Sequence, residues 1–427
     1  MKLLNFWPKE FSYRLRGAFL QVVASTALNN LVSFITQALA ARILGPESFG
    51  VFSLSLSLAM FVGTIGDAGL GLTTIRFFGE RDTAESKERF LNAILLLRIF
   101  VFLILFLLSA PIGWLISRVL GVEGLSWLIV SSAIITGGLV TLWIHLQSVL
   151  RSRQNFRAFS STMALYSILR LLAISLLLLF KSNSPLTWLV VTYILPLALA
   201  LVFSLGRGSK RIQKVRVSRL FREDLSIVRS ALKYTQWVAL SSLSYTAIPH
   251  AVQFLLAVRG SIEEVAYFAT GLLFSMVFST LNVSVRTILF PRVVGLTKKD
   301  EALAYLEKLR SIVPYYVLFS LLVVLSLFSV QEVLLGKEYL RAQVVFLALS
   351  LGFMAVIFLG LATMLIHTIK RPEVDGFVNL VRLILASILV YILAPEFGAL
   401  GAAVVYMGII IGGEIWMLWY VRRQLAQ

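Results

Sequence analysis

Apolar stretches of 18 or more residues recur from one end of this chain to the other. A stretch of that length matches the roughly 30 Å hydrocarbon core of a bilayer. Inside that core there is no water to satisfy backbone N–H and C=O groups, so such a stretch folds as a helix. Spans are expected near 18–43, 49–72, 90–117, 125–149, 158–180, 185–205, 231–257, 264–290, 311–335, 340–366, 375–394 and 399–421. Composition agrees, with 59% hydrophobic and 14% charged residues, whereas soluble domains carry about a quarter charged. The expected fold is an all-α integral membrane protein of about 12 transmembrane helices.

Charge placement orients these spans. With the N-terminus in the cytoplasm, 30 of the 39 Lys and Arg residues fall on inside segments, 6 on outside loops, and Arg98, Arg170 and Arg382 within spans. This is the positive-inside pattern, and it predicts a plasma (inner) membrane protein with both termini cytoplasmic. The net charge of +18 is therefore topogenic and lipid-facing; no nucleic-acid module accompanies it, so nucleic acid is not an expected partner. Residues 1–17 are basic with scattered aromatics and read as an amphipathic cytoplasmic lead-in, since the apolar run after them is too long for a signal peptide. The chain has no cysteine, which removes disulfides, thiolate metal sites and cysteine nucleophiles.

The chain also repeats itself. The turn Ala41-Arg-Ile-Leu-Gly-Pro-Glu-Ser-Phe-Gly-Val-Phe52, set between two apolar runs on the outer side, has a counterpart at Leu256–Phe268. In both, a helix with a polar stripe ends in a small-residue turn and a second helix runs back to a basic inside loop. Two similar halves in a bilayer are the usual layout of a transporter with its site at their interface. The expected organisation is an N-terminal six-helix lobe at 1–206, a basic cytoplasmic linker at 207–230 and a C-terminal six-helix lobe at 231–427.

Four motifs in order support a family resemblance. Ala41–Gly50 followed by Thr64-Ile-Gly-Asp-Ala-Gly-Leu-Gly-Leu-Thr-Thr-Ile-Arg76 resembles the first hairpin of the Wzx-type polysaccharide-export flippases, of the multidrug/oligosaccharidyl-lipid/polysaccharide superfamily. Gln147–Arg157 resembles their loop between spans four and five, Thr287–Arg292 the end of span eight, and Pro395–Ala403 the entry to the last helices. The resemblance implies two pseudo-symmetric lobes facing each other in a V around a cavity that opens alternately to either side. It also implies a polyprenyl-diphosphate-linked oligosaccharide as cargo, with membrane lipids and a polysaccharide assembly machinery as partners. No cofactor is expected; a coupling ion, Na+ or H+, is left open, and a monomer is the default.

Candidate site residues follow from the spans. Asn29, Ser33 and Gln37 in span one, with Asn30 beside them, continue a row at four-residue spacing, which a 3.6-residue helix keeps on one slowly winding face. Span two carries Ser53, Ser57 and Thr64, span seven Ser242, Thr246, His250 and Gln253, and span eight Ser275, Ser279 and Asn282. In lipid such stripes face protein or water. They line a wet, sugar-binding cavity or they hydrogen-bond helix to helix. Arg170 and Arg382 lie mid-span, 212 residues apart, and with Arg286 and Arg98 are the diphosphate candidates, because a guanidinium fork matches phosphate oxygens. The alternatives are pairing inside a lobe, with Glu414 a partner for Arg382, and snorkelling, which favours Arg98 near the cytoplasmic edge. Asp67 is the coupling candidate, or a cap on a helix break beside Gly66 and Gly69. His250 is a proton sensor or a packed polar contact; His145 and His367 are expected near the inner interface.

Catalysis finds no motif here: no metal-ligand cluster, phosphate loop or nucleophile elbow. An enzyme is not expected, and the large external loop of a polysaccharide polymerase or ligase is missing. A cation-coupled drug or small-molecule exporter on the same fold and a lipid II flippase stay open as alternatives.

Overall fold

The computed structural model describes residues 9–79, 83–208, 220–294, 299–367 and 372–426. Among them every regular element is a helix: α1 (Lys9–Asp67), α2 (Leu70–Gly79), α3 (Ala84–Leu120), α4 (Trp127–Ser152), α5 (Phe156–Phe180), α6 (Pro185–Leu189), α7 (Leu195–Gly208), α8 (Leu220–Arg259), α9 (Ile262–Val294), α10 (Lys299–Leu335), α11 (Leu340–Thr363) and α12 (Pro372–Ala426). The lead-in before Lys9 and linker residues 209–219 lie outside the described residues.

Nine helical segments among the described residues are long and apolar enough to cross a membrane, against the twelve expected. Two physical reasons account for the difference. Helix α1 has 59 residues and α12 has 55, each more than twice the ~20 that one crossing needs. Each contains a non-helical glycine, Gly45 (φ 72°) and Gly398 (φ 52°), that divides it where the sequence places an outer turn. Helix α8, which holds the expected seventh span, is not among the nine; its polar stripe dilutes its apolar content.

Other breaks have local causes as well. Between α1 and α2 the chain passes through Ala68 (φ 44°) and Gly69 (φ 74°), and Asp67 Oδ1 accepts from the Gly71 N–H at 3.1 Å, so Asp67 caps the new helix. Between α6 and α7, Val190–Ile194 form a π-helical turn in which the Leu195 N–H reaches back to the Val190 carbonyl. Pro196 follows at once; it offers no N–H and crowds the carbonyl four residues earlier, so the ladder widens there.

The chain packs as two compact units. Unit 1 comprises Met1–Gln37, Val62–Leu115 and Trp127–Thr235; unit 2 comprises Ala38–Phe61, Ile116–Ser126 and Gln236–Gln427. The outer half of the first hairpin, residues 38–61, thus packs with the C-terminal helices rather than with the rest of the N-terminal sequence. In unit 1 one apolar core forms around Leu139, Tyr166, Leu197, Ala200 and Leu201, and a second around Leu70, Phe90, Leu91 and Ile94. In unit 2 the buried interior is rich in aromatics, with Phe268 and Phe353 meeting Tyr406 and Phe274 meeting Phe346 edge-on. Many large apolar side chains face outward, such as Leu107, Leu179, Phe180 and Leu325, as helices bathed in lipid require.

The kink in α12 is built for glycine alone. A Cβ at Gly398 would collide with the Glu264 carboxylate, which accepts from the Ala399 N–H at 2.6 Å and so caps the restarted helix. Gly398→Ala is expected to destabilise by about 1–3 kcal/mol, since both the space and the positive φ oppose a side chain. Gly408→Ala, mid-helix with nothing within 4 Å, serves as the control and should be neutral or up to about 1 kcal/mol stabilising. Thermal unfolding of the purified variants in detergent checks both.

Candidate functional site

Three intramembrane arginines organise the polar interior of the two units, and each is solved differently. A charge in hydrocarbon demands a partner, so the identity of that partner says what the arginine is free to do.

Arg98, on α3, is fully buried rather than snorkelling to the interface. Its guanidinium donates to Asp67 Oδ1 at 2.5 Å and to the Thr141 carbonyl at 2.7 Å. Asp67 is 17% exposed. The sole carboxylate expected deep in the N-terminal sequence is therefore at once a helix cap and the counter-ion of Arg98. His145, one helical turn beyond Thr141, is buried, and its Nδ1 has no hydrogen-bond partner.

Arg382, on α12, is 3% exposed and pairs with Glu414 Oε1 at 3.2 Å. It also donates to Asn379 Oδ1 at 2.8 Å and to the Ile410 carbonyl at 3.0 Å. Gly413 makes room for it, since a Cβ there would strike the guanidinium. The network continues in both directions. Thr363 donates to Glu414 Oε2 at 2.6 Å, Asn379 donates to Ser241 Oγ at 3.0 Å, and Ser241 donates to Asp375 Oδ2 at 2.5 Å. Six side chains from α8, α11 and both halves of α12 are joined in one hydrogen-bonded chain. Arg382 with Glu414 was anticipated; Ser241, Thr363, Asp375 and Asn379 carry no signal in spacing that would have singled them out.

Arg170, on α5, is 1% exposed and has no carboxylate within ion-pair reach among the described residues. Its Nη1 donates to Ser33 Oγ on α1 at 2.7 Å. Its guanidinium lies over two aromatic faces, Tyr193 at 4.4 Å and Tyr166 at 5.4 Å from the ring centroids. Such contacts stabilise a desolvated cation by about 2 kcal/mol or more, but they leave Nε and Nη2 without acceptors. Tyr193 stands in the π-helical turn ahead of Pro196, so a backbone irregularity presents the ring. Neither tyrosine was anticipated.

The stripes are partly consumed inside their own units. In unit 2, Ser57 Oγ meets His250 Nδ1 at 2.7 Å, Ser53 donates to Gln253 Oε1 at 3.3 Å, and Ser275 meets Ser350 at 3.2 Å. Asn282 is buried with Oδ1 unpartnered, and Ser279 and Thr246 are half-buried. Ser242 is exposed. In unit 1, Asn30 is exposed, Asn29, Gln37 and Thr64 are half-buried, and Asn29 Oδ1 has no partner. The side chains of Arg286 and His367 lie outside the described residues.

Residues 15–296 match a family model described as polysaccharide biosynthesis protein. No curated protein matches the sequence. Among solved structures the chain is similar to one titled lipid II flippase MurJ, inward closed conformation, at 14% identity and TM-score 0.75, covering 94% of this chain and 87% of that one. It is also similar to an inward-facing multidrug resistance MATE family transporter of the MOP superfamily, at 14% identity and TM-score 0.72, covering 95% and 98%. At that identity the likeness establishes the shared helical fold.

The buried pair in unit 2 generates a stability test. Glu414→Leu leaves Arg382 uncompensated and is expected to cost about 3–5 kcal/mol, while Glu414→Leu with Arg382→Met should recover most of that loss. A double-mutant cycle on thermal unfolding measures the coupling.

Proposed function

The chain belongs to the polysaccharide biosynthesis protein family, and we propose that it is a multi-pass membrane transporter of the MOP superfamily whose cargo is a polyprenyl-diphosphate-linked oligosaccharide. It moves this cargo across the plasma membrane by alternating access, for cell-surface glycan assembly, with the inside segments carrying the basic residues. The N-terminal lobe (1–206) and C-terminal lobe (231–427) move about the linker between them.

One observation supports this reading above the others. Of the three described intramembrane arginines, Arg98 and Arg382 are neutralised by Asp67 and Glu414 and each leaves Nε without an acceptor, while Arg170 has no carboxylate partner among the described residues and leaves both Nε and Nη2 without acceptors. A desolvated guanidinium held by two tyrosines and the Ser33 hydroxyl, with no carboxylate beside it among the described residues, is poised for an anion that offers several acceptor oxygens. A diphosphate does so. Its burial sets a condition: the Ser33-bearing part of α1 must yield for the anion to enter, which links binding to a change of conformation. Arg98 and Arg382, already paired with carboxylates, and Arg286 are the further diphosphate candidates of this reading. The hydroxyls and amides of Asn29, Asn30, Ser33, Gln37, Thr64, Ser242, Thr246, Ser279 and Asn282 suit sugar hydroxyls.

A drug exporter for cationic compounds would call for uncompensated carboxylates, and Asp67 and Glu414 are both committed to arginines. Asp67 as a coupling group would therefore work by exchanging Arg98 for a proton or cation.

Purified protein in liposomes, given a polyprenyl-diphosphate oligosaccharide beside a panel of cationic drugs, decides between these. Saturable glycolipid transfer is expected, with indifference to the drugs. Arg170→Ala should lower transfer at least tenfold with unchanged elution in gel filtration, and Arg170→Lys should restore part of it. Wild-type transfer by Arg170→Ala would remove the diphosphate role; drug transport without glycolipid transfer would move the protein to the exporter class.

A further inference from the structure

The outer half of the first hairpin is fastened to the C-terminal helices of unit 2 by side chains of the motif that singled it out in the sequence. At the rim, Arg42 Nη1 donates to the carbonyls of Val333 and Leu334 at 3.0 and 3.1 Å. These belong to the last turn of α10, whose carbonyls have no partners within the helix, and the guanidinium also meets the negative end of that helix. Tyr339 donates its hydroxyl to the Ala41 carbonyl at 2.9 Å, in the turn of α1 that precedes the break at Gly45. The Phe49 ring stands edge-on to Tyr339 at 6.3 Å.

Further in, the fastening runs along one helix face. Gly50, Ser53, Ser57 and Phe61 are spaced i, i+3, i+7 and i+11, which aligns them on one side. Gly50 lies against the backbone carbonyl of Ile262 with no space for a Cβ. Ser53 donates to Gln253 at 3.3 Å, Ser57 meets His250 Nδ1 at 2.7 Å, and the Phe61 ring lies 6.2 Å from that of His250. Residues 250 and 253 lie one turn apart on α8, so two polar helix faces meet in register.

The chemistry of this seam differs from that of the Arg382 network. Its side-chain pairs are neutral, its rim contacts are hydroxyl and guanidinium donors on backbone carbonyls, and no ion pair crosses it among the described residues. Neutral hydrogen bonds exchange for water at small net cost, whereas separating a buried ion pair strands a charge. The seam is therefore better suited than the Arg382 network to part and re-form.

We propose that this seam is the outer gate: Ser57–His250 and Ser53–Gln253 hold it shut, Arg42 and Tyr339 latch its rim, and it parts once in each transport cycle. The gate rests on the transporter reading above. It extends that reading by assigning His250, Gln253, Ser53, Ser57, Arg42 and Tyr339 as positioning residues rather than ligands of the cargo.

The chain contains no cysteine, so Ser53→Cys with Gln253→Cys introduces the only two thiols. Reconstituted in liposomes, this pair is crosslinked with a short bis-methanethiosulfonate and then released with dithiothreitol. Glycolipid transfer should fall at least tenfold on crosslinking and return on reduction, a recovery that a purely structural effect would not show. Undiminished transfer by the crosslinked protein, or failure of the pair to crosslink, would overturn the gate. A second measurement stands apart from cargo. Ser57→Cys alone is labelled from the outer side with a membrane-impermeant maleimide, with and without Arg42→Ala and Tyr339→Phe. Unlatching the rim should speed labelling at least tenfold; an unchanged rate overturns the gate even where no glycolipid is moved, and absence of wild-type transfer counts against the cargo reading alone.

Discussion

A guanidinium in hydrocarbon cannot be left to itself, and the interior of this protein is arranged around that requirement. Arg98 draws the end of α1, α3 and α4 together through Asp67 and the Thr141 carbonyl. Arg382 ties the two halves of α12 to each other and, through Glu414 and Asn379, to α11 and α8. Without these charges, helices surrounded by apolar lipid would have only packing to set their register, because the hydrophobic effect does not separate one apolar neighbour from another. Arg170 departs from the pattern: it is held by two tyrosines and one serine, with no carboxylate beside it among the described residues.

Backbone irregularities supply the second layer of organisation. Each sits at a residue that accounts for it: Gly45 ahead of Pro46, Gly69 behind the Asp67 cap, the π-helical turn ahead of Pro196, and Gly398 against Glu264. They are also where functional groups stand. Asp67 is both cap and counter-ion, Tyr193 is displayed by the widened turn, and the Gly45 break turns residues 46–61 back along the C-terminal helices. Local strain and long-range contact are thus joined at the same positions.

Much of this was legible in the chain. The apolar runs, the basic inside loops and the two outer turns specified a polytopic helical transporter, and both turns fall at positive-φ glycines or small-residue breaks. The Arg382–Glu414 pairing was among the readings weighed for that arginine, and so was the capping role of Asp67. Other features were not legible. Arg98 lay near the edge of its span and read as a snorkelling residue, because nothing local shows that Asp67, 31 positions earlier, faces it. Ser241, Thr363, Asp375 and Asn379 are ordinary polar residues at helix positions, and their connection exists only across helices. The stripe on α8 foretold a polar face but not its occupant, which proved to be Ser53 and Ser57 of the same chain.

The division follows from the range of the forces. Hydropathy, proline and glycine act on a residue and its near neighbours, so the sequence by itself determined the helical class, the membrane setting and many of the places where helices break. Which buried charge meets which counter-charge depends on helix rotation and register, and these are settled by side-chain packing between segments up to 300 residues apart. Tertiary structure therefore decided that Arg98 and Arg382 are neutralised, that Arg170 is not, and that the first hairpin is fastened to helices from the other end of the chain.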